Sequence, residues 1–159
     1  MTGSAERPAR TAPEVFANDL VLPHQTNNFG TMFGGEVLAM MDRIGAIAAL
    51  RFCRAPVVTA SSERIDFRTP IPAGAIVEAA ARVIFAGRTS MIVRVHLYAE
   101  HALAGTRELC TTGYFSFVTV RIAAERPVVP QLLVEDDLAR AESRVGEEIR
   151  RAIDARRTP

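Results

Sequence analysis

The chain has no lysine: all 19 basic residues are arginine, set against 18 acidic ones, so the formal net charge is +1. A protein that grips nucleic acid by its phosphates carries a clear excess of positive charge, so nucleic acid is not the expected partner. The arginine bias, together with abundant alanine, fits a GC-rich coding sequence better than a physical demand. Cysteine is also scarce. Cys53 and Cys110 lie far apart in apolar stretches without metal-ligand spacing, which argues against a disulfide framework and suits buried thiols in a reducing cytoplasm. The opening segment MTGSAERPARTAP lacks the apolar core of a secretory signal. No later run reaches the ~18 apolar residues of a membrane span. A cytoplasmic location with no membrane partner is expected.

What remains is the composition of a single folded domain. Hydrophobic residues make up 48% of 159 positions and charged residues 23%, enough apolar surface to offset the entropy of ordering the chain around one core. Residues 1–12 are small, polar and broken by proline, and are expected to fray as a disordered N-terminal tail. Residues 14–22 (EVFANDLVL) read as a short strand ended by Pro23, before a polar loop, HQTNNFGT. Residues 34–50 (GGEVLAMMDRIGAIAAL) are apolar or small at almost every position except Glu36, Asp42 and Arg43. A helix apolar on all faces is a buried helix.

Four strand-like segments follow, at 57–67, 76–85, 90–100 and 108–120, rich in β-branched and aromatic residues. In the third, Met91, Val93, Val95 and Leu97 alternate with Ile92, Arg94, His96 and Tyr98, giving one apolar and one mixed face. The links at 69–74, 86–89 and 101–107 are short enough for hairpins or a meander, which favours an antiparallel sheet. One buried helix among strands must be wrapped by the sheet and covered by something else. A last segment, 135–156, places Leu138, Ala141, Val145, Ile149, Ala152 and Ile153 at amphipathic-helix spacing, with acids at its start and arginines at its end. Two readings of it stand open: a tail helix lying on its own domain, or an oligomer contact.

Asp42 is the residue that needs a reason. A lone carboxylate on so apolar a helix must be paired, neutral or part of a site, because unpaired burial costs several kcal/mol. A salt bridge to an arginine is the simplest alternative to a functional role. Gly34 and Gly35 at the helix N-terminus leave backbone N–H groups free for a developing oxyanion, although a Gly-Gly pair can also serve only a tight turn. Gly35 and Asp42 share a helix face but lie roughly 10 Å apart along the axis. One chain's Asp42 therefore does not easily serve its own helix start, whereas an antiparallel second copy brings its carboxylate there.

The stretch LPHQTNNFGTMFGGEVLAMMD, with Pro23, Thr26, Asn27, Gly30, Phe33, Gly34, Gly35, Met41 and Asp42 at the matching positions, resembles the YciA-type and related acyl-CoA hydrolases of the hotdog superfamily. The similarity runs on through VVTASSERIDFRTPIPAG, GRTSM and YFSFVTV, covering roughly residues 19–121. It implies an α+β hotdog fold: an antiparallel β-sheet wrapped around a long central α-helix over residues 13–125, followed by a linker and C-terminal amphipathic helix over 126–159. It implies that Asp42 is the catalytic carboxylate, as general base or nucleophile. Asn27 of a facing copy would hold the substrate or water, and Gly35, with Gly34, would polarise the carbonyl.

Arg88, Thr89 and Ser90 match a segment that contacts coenzyme A near its phosphates; a solvated hairpin charge is the plainer reading of Arg88. The partners implied are an acyl-CoA substrate and further copies of the chain, as a homodimer at least and a homohexamer built as a trimer of dimers. No cofactor and no metal are implied, since coenzyme A belongs to the substrate. Asn28, Phe29 and Thr31 depart from the family pattern beside the acyl end. A non-catalytic acyl-CoA sensor and a hotdog dehydratase are the competing readings. His24, His96 and His101 lack the setting a dehydratase or metal site needs.

Overall fold

The computed structural model describes residues 7–158. In chain order its elements are β1 (Ala9–Arg10), β2 (Val15–Leu20), α1 (Gly34–Cys53), β3 (Val57–Phe67), β4 (Ile76–Ala86), β5 (Ser90–His101), β6 (Thr106–Thr119), β7 (Gln131–Leu132) and α2 (Asp137–Arg157). Five strands form one antiparallel sheet in the order β2-β4-β5-β6-β3. The period of two in β5 sets the layers. Met91, Val93, Val95 and Leu97 are fully buried in the core shared with α1, and Ile92 joins Ile84 on the opposite face. The sheet around one long helix is the hotdog arrangement expected from the sequence.

Small residues let α1 sit close to the sheet: a Cβ at Gly45 would come within 3.1 Å of the Phe117 ring. Arg54 ends the helix in the left-handed region (φ 53°), donating its N–H to Leu50 O. On the outer face α2 buries Ile149 and Ile153 against Ile84 and Ile92. Its start is capped by Asp136, which accepts from Ala139 N at 2.7 Å. Arg94, buried on that face, is held between Glu14 and Glu142, and Arg156 pairs with Glu63. Of the two readings of the tail helix, the contact with its own domain holds for these residues.

Two expectations need correction. Residues 1–6 lie outside the described residues, but 9–12 do not fray: β1 pairs in parallel with β7, and Ala12 is buried in the main core. The same core includes Val129, so the segment after 125 is more than a linker. Composition misses both because two-residue strands carry almost no pattern, and each becomes stable only by pairing with the other.

The second concerns pairing. β3 pairs with β6 and not with β4, so the 69–74 link is no hairpin. It returns past the loop before α1 instead, where Met32 N donates to Ile71 O at 2.7 Å. Alternation tells which residues face a core, not which strand lies alongside.

The helix α1 needs the further cover expected of it. In the single chain a broad side of the helix is open, with Leu38 (36% exposed) at one edge, Ile47 (40%) at the other and Leu50 (44%) between them. The sheet wraps the rest of the helix, and the cover on this side does not come from the described residues of the chain itself.

Candidate active site

Asp42 lies on that open side, half-buried. Its Oδ1 accepts a hydrogen bond of 2.5 Å from Thr59 Oγ1. Thr59 pairs with Phe117, an inward-facing residue of β6, and a register shift follows it in β3; the helix-facing side of this edge strand therefore carries the hydroxyl that orients the carboxylate. The arginine salt bridge that a structural Asp42 would need is not among the ion pairs of the described residues.

Asn27 is fixed by its own loop. Its Oδ1 accepts from Phe29 N (3.0 Å) and Thr31 N (3.2 Å), while Nδ2 donates to Thr31 Oγ1 (3.0 Å). Gly30 takes φ 74° to close this turn, a conformation open to glycine at little cost. Phe29, at the tip, is 83% exposed.

The start of α1 is bare. Its N-cap residue Phe33 makes no side-chain cap bond, and the first helical N–H with a loop acceptor is that of Val37, to Phe33 O. Gly34 and Gly35 are exposed, and a Cβ at Gly35 would meet nothing within 4 Å. These N–H groups, at the positive end of the helix dipole, are placed to receive an oxygen that gains negative charge. Beside them opens a cavity of about 210 Å³ lined by Met32, Val37, Phe67, Ile71 and Thr111, among others.

Arg88, Thr89 and Ser90 sit apart, at the β4–β5 turn. Arg88 is exposed. Thr89 O accepts from Thr119 N at 3.0 Å, and the buried Ser90 hydroxyl accepts from Arg150 Nη1 at 3.0 Å, beneath α2. The structure thus joins Asp42 with Thr59 and Asn27 with Thr31, while no hydrogen bond among the described residues joins Asn27 to Asp42. Sequence reasoning missed Thr59 and named Thr31 only as a departure from the family pattern, not as the partner of Asn27. The available signal for Thr59 was a hydroxyl on the inward register of a strand that faces the Asp42 helix.

The histidines stand elsewhere. His24 is exposed in the loop. His96, on the outer face, hydrogen-bonds through Nδ1 with Thr112 Oγ1 at 2.9 Å, and burial first, with the charge of Arg94 second, pushes its pKa down to about 4. Among the described residues no group of three or more His, Cys, Asp or Glu is arranged to hold a metal ion, and no helix is long and apolar enough to cross a membrane.

The sequence profile of the thioesterase superfamily matches residues 29–105. YkhA of Bacillus subtilis, named as an uncharacterised acyl-CoA thioester hydrolase, is 36% identical over 124 residues, which cover 78% of this chain and 72% of YkhA. The acyl-CoA hydrolase of Staphylococcus aureus, solved with butyryl coenzyme A, coenzyme A and coenzyme A disulfide, superposes with a TM-score of 0.87 at 32% identity, covering 94% of this chain and 93% of that one. That enzyme has also been solved with one aspartate, one asparagine or one threonine replaced by alanine. An apo-hexameric acyl-CoA thioesterase matches with a TM-score of 0.88 at 30% identity, covering 94% of this chain and 97% of the other. With relatives aligned along most of both chains, and with an antiparallel sheet wrapped around one long helix, the chain belongs to the thioesterase superfamily and is an acyl-CoA hydrolase.

Proposed function

We propose that the chain hydrolyses acyl-CoA at sites completed by two copies of itself, with Asp42 acting as general base on the attacking water. The observation that carries this reading is the placement of Asp42: a carboxylate without a cationic partner among the described residues, oriented by Thr59, on an apolar side of the helix that those residues leave open. A broad open side with Leu38, Ile47 and Leu50 is a surface for a second copy. The rise of α1 separates Gly35 from Asp42 by roughly 10 Å, so the carboxylate at one helix start comes from the partner. The replaced asparagine, aspartate and threonine of the Staphylococcus aureus enzyme have the same spacing along its chain as Asn27, Asp42 and Thr59 have here, which supports a common role for the three.

In the reaction the thioester oxygen points at the N–H groups of Gly34 and Gly35. Asn27 orients a water, Asp42 takes its proton, and the water oxygen bonds to the carbonyl carbon. The C–S bond breaks as the tetrahedral centre collapses, and the thiolate of coenzyme A receives the proton from Asp42. Coenzyme A is the leaving group, and the step asks for no cofactor or metal. Arg88, with the backbone of Thr89 and Ser90, holds the phosphate end. The hexameric neighbour supports a hexamer, which three such dimers would make, and two buried, unpaired thiols, Cys53 and Cys110, suit the cytoplasm. A sensor without catalysis has no use for the oriented Asp42, and a dehydratase lacks its histidine.

The test is Asp42→Asn, which keeps size and removes basicity. The expected result is a fall in kcat by a factor on the order of 10²–10⁴ with assembly and coenzyme A binding retained. A variant with wild-type kcat overturns the assignment of Asp42. Single turnover in ¹⁸O-water tests the base role: ¹⁸O found in Asp42 by peptide mass spectrometry shows a nucleophile instead.

A further inference from the structure

Both ends of the chain converge on the turn that carries Arg88. The Arg7 guanidinium donates to four backbone carbonyls: Ala86 (3.3 Å) and Gly87 (2.7 Å) at the end of β4, and Val129 (2.8 Å) and Pro130 (3.1 Å) ahead of β7. Val129 N–H in turn donates to Arg88 O at 2.8 Å. From the other end of the chain, Arg150 of α2 donates to the Ser90 hydroxyl. The turn is closed by Gly87 N–H to Ser90 O at 2.8 Å, and it is tight: a Cβ at Gly87 would lie 2.9 Å from Ser90 Oγ.

A guanidinium is a rigid planar fork, and spreading it over carbonyls of two separate segments fixes both relative to one plane. Through Nε and Nη2, every side-chain hydrogen bond that Arg7 makes among the described residues goes to a backbone carbonyl. Neither Arg7 nor Arg88 forms an ion pair among the described residues. The Arg88 backbone is thus held on both sides, through the Gly87 carbonyl by Arg7 and through its own carbonyl by Val129, while its side chain stays exposed and uncommitted. A long exposed side chain loses several rotatable bonds when it captures a phosphate, and a fixed backbone beneath it lowers that cost.

We propose that Arg7 is a positioning residue for the coenzyme A end of the substrate: by holding the backbone at 86–87 and 129–130 it sets the direction from which Arg88 meets a phosphate. This rests on the reading of Arg88 as a coenzyme A contact. Arg7 touches no substrate, and its effect passes through the turn.

The experiment compares wild type, Arg7→Gln, Arg7→Lys, Arg88→Ala and the Arg7→Gln/Arg88→Ala double variant, each with a short acyl-CoA and with the same acyl thioester of pantetheine, which has no phosphates. Arg88→Ala is expected to raise KM for acyl-CoA roughly ten-fold. Arg7→Gln raises it roughly three- to ten-fold, with kcat within about two-fold and KM for the pantetheine thioester unchanged. Arg7→Lys, which keeps the charge but reaches fewer carbonyls, falls between wild type and Arg7→Gln. The double variant is no worse than Arg88→Ala, since an effect carried through Arg88 disappears with it. If Arg88→Ala raises KM and Arg7→Gln does not, the positioning role is wrong and the reading of Arg88 survives. If neither variant changes KM, both fall. A rise in KM for both substrates, or full additivity in the double variant, also overturns the proposal, because a general loss of structure acts that way. Should Arg7→Gln fail to fold, Arg7→Lys alone and combined with Arg88→Ala carries the same comparison.

Discussion

Mixing two inactive variants tests the shared site more sharply than either variant alone. Asp42→Asn removes the base, and Asn27→Ala removes the amide that orients the water. If both residues served the site of their own chain, every site in any mixture would carry one defect. The geometry of α1 predicts otherwise, since roughly 10 Å of helix separates Asp42 from the glycine N–H groups of its own chain, and the open side with Leu38, Ile47 and Leu50 is where the proposed second copy would pack. When the two variants are unfolded together at equal concentration and refolded, random pairing makes about half of the dimers mixed. Each mixed dimer has one site with both defects and one with neither. About a quarter of wild-type activity should therefore return, measured as thiol release from acyl-CoA. The threshold for detection is low, because the parent variants are each expected to be slower by a factor on the order of 10²–10⁴. Differently tagged copies establish that mixed dimers are present. Mixed dimers without recovered activity would refute the composite site and return Asn27 and Asp42 to one chain.

Two further outcomes follow from packing and charge. In Gly146→Ala the new Cβ would lie 2.7 Å from Phe85 Cβ and 3.1 Å from Ile84 O, and since neither atom is a flexible side-chain tip, α2 must lift from β4; a loss of about 1–3 kcal/mol should appear as a lower Tm, and an unchanged Tm would show that α2 is not seated as described. Folded His96 binds its proton more weakly than the unfolded chain does, because of burial and the Arg94 charge, against an opposing pull from Glu14. Its contribution is therefore complete above pH 6.5 and is lost as pH falls towards about 4. Denaturant titrations across that window should show wild type losing about 1–2 kcal/mol more than His96→Gln, a value reduced for partial solvent screening. Equal slopes for the two proteins would remove His96 as the cause. Glu63, whose pKa is held down chiefly by its hydrogen bonds from Arg156, stabilises fully above the usual carboxylate range and loses that contribution only as pH falls through and below it.

What could be read from residue order was whatever depends on local pattern. Apolar residues at almost every position of 34–50 mark a helix with no solvent face of its own, alternation in 90–100 marks a two-faced strand, and a single carboxylate in the middle of the helix stands out because burial of an unpaired charge is costly. The glycine pair at the helix start and the polar loop before it belong to the same short stretch, so their proximity was legible as well. Thr59 was not, because it reaches Asp42 only when β3 takes the edge beside α1. The grip of Arg7 on the β4–β5 turn was equally hidden, since Arg7 and Gly87 are remote in sequence.

The sequence by itself determined the helix, the strands, the amphipathic tail and the residue types available for catalysis, because each follows from periodicity, propensity and the cost of burying charge over a few neighbouring positions. Only the tertiary structure decided that β3 pairs with β6, that β1 and β7 order each other, that α2 covers the outer face through Ile149 and Ile153, and that Thr59 fixes Asp42. These are contacts between segments distant along the chain, and their free energy arises from complementary surfaces that no single segment contains.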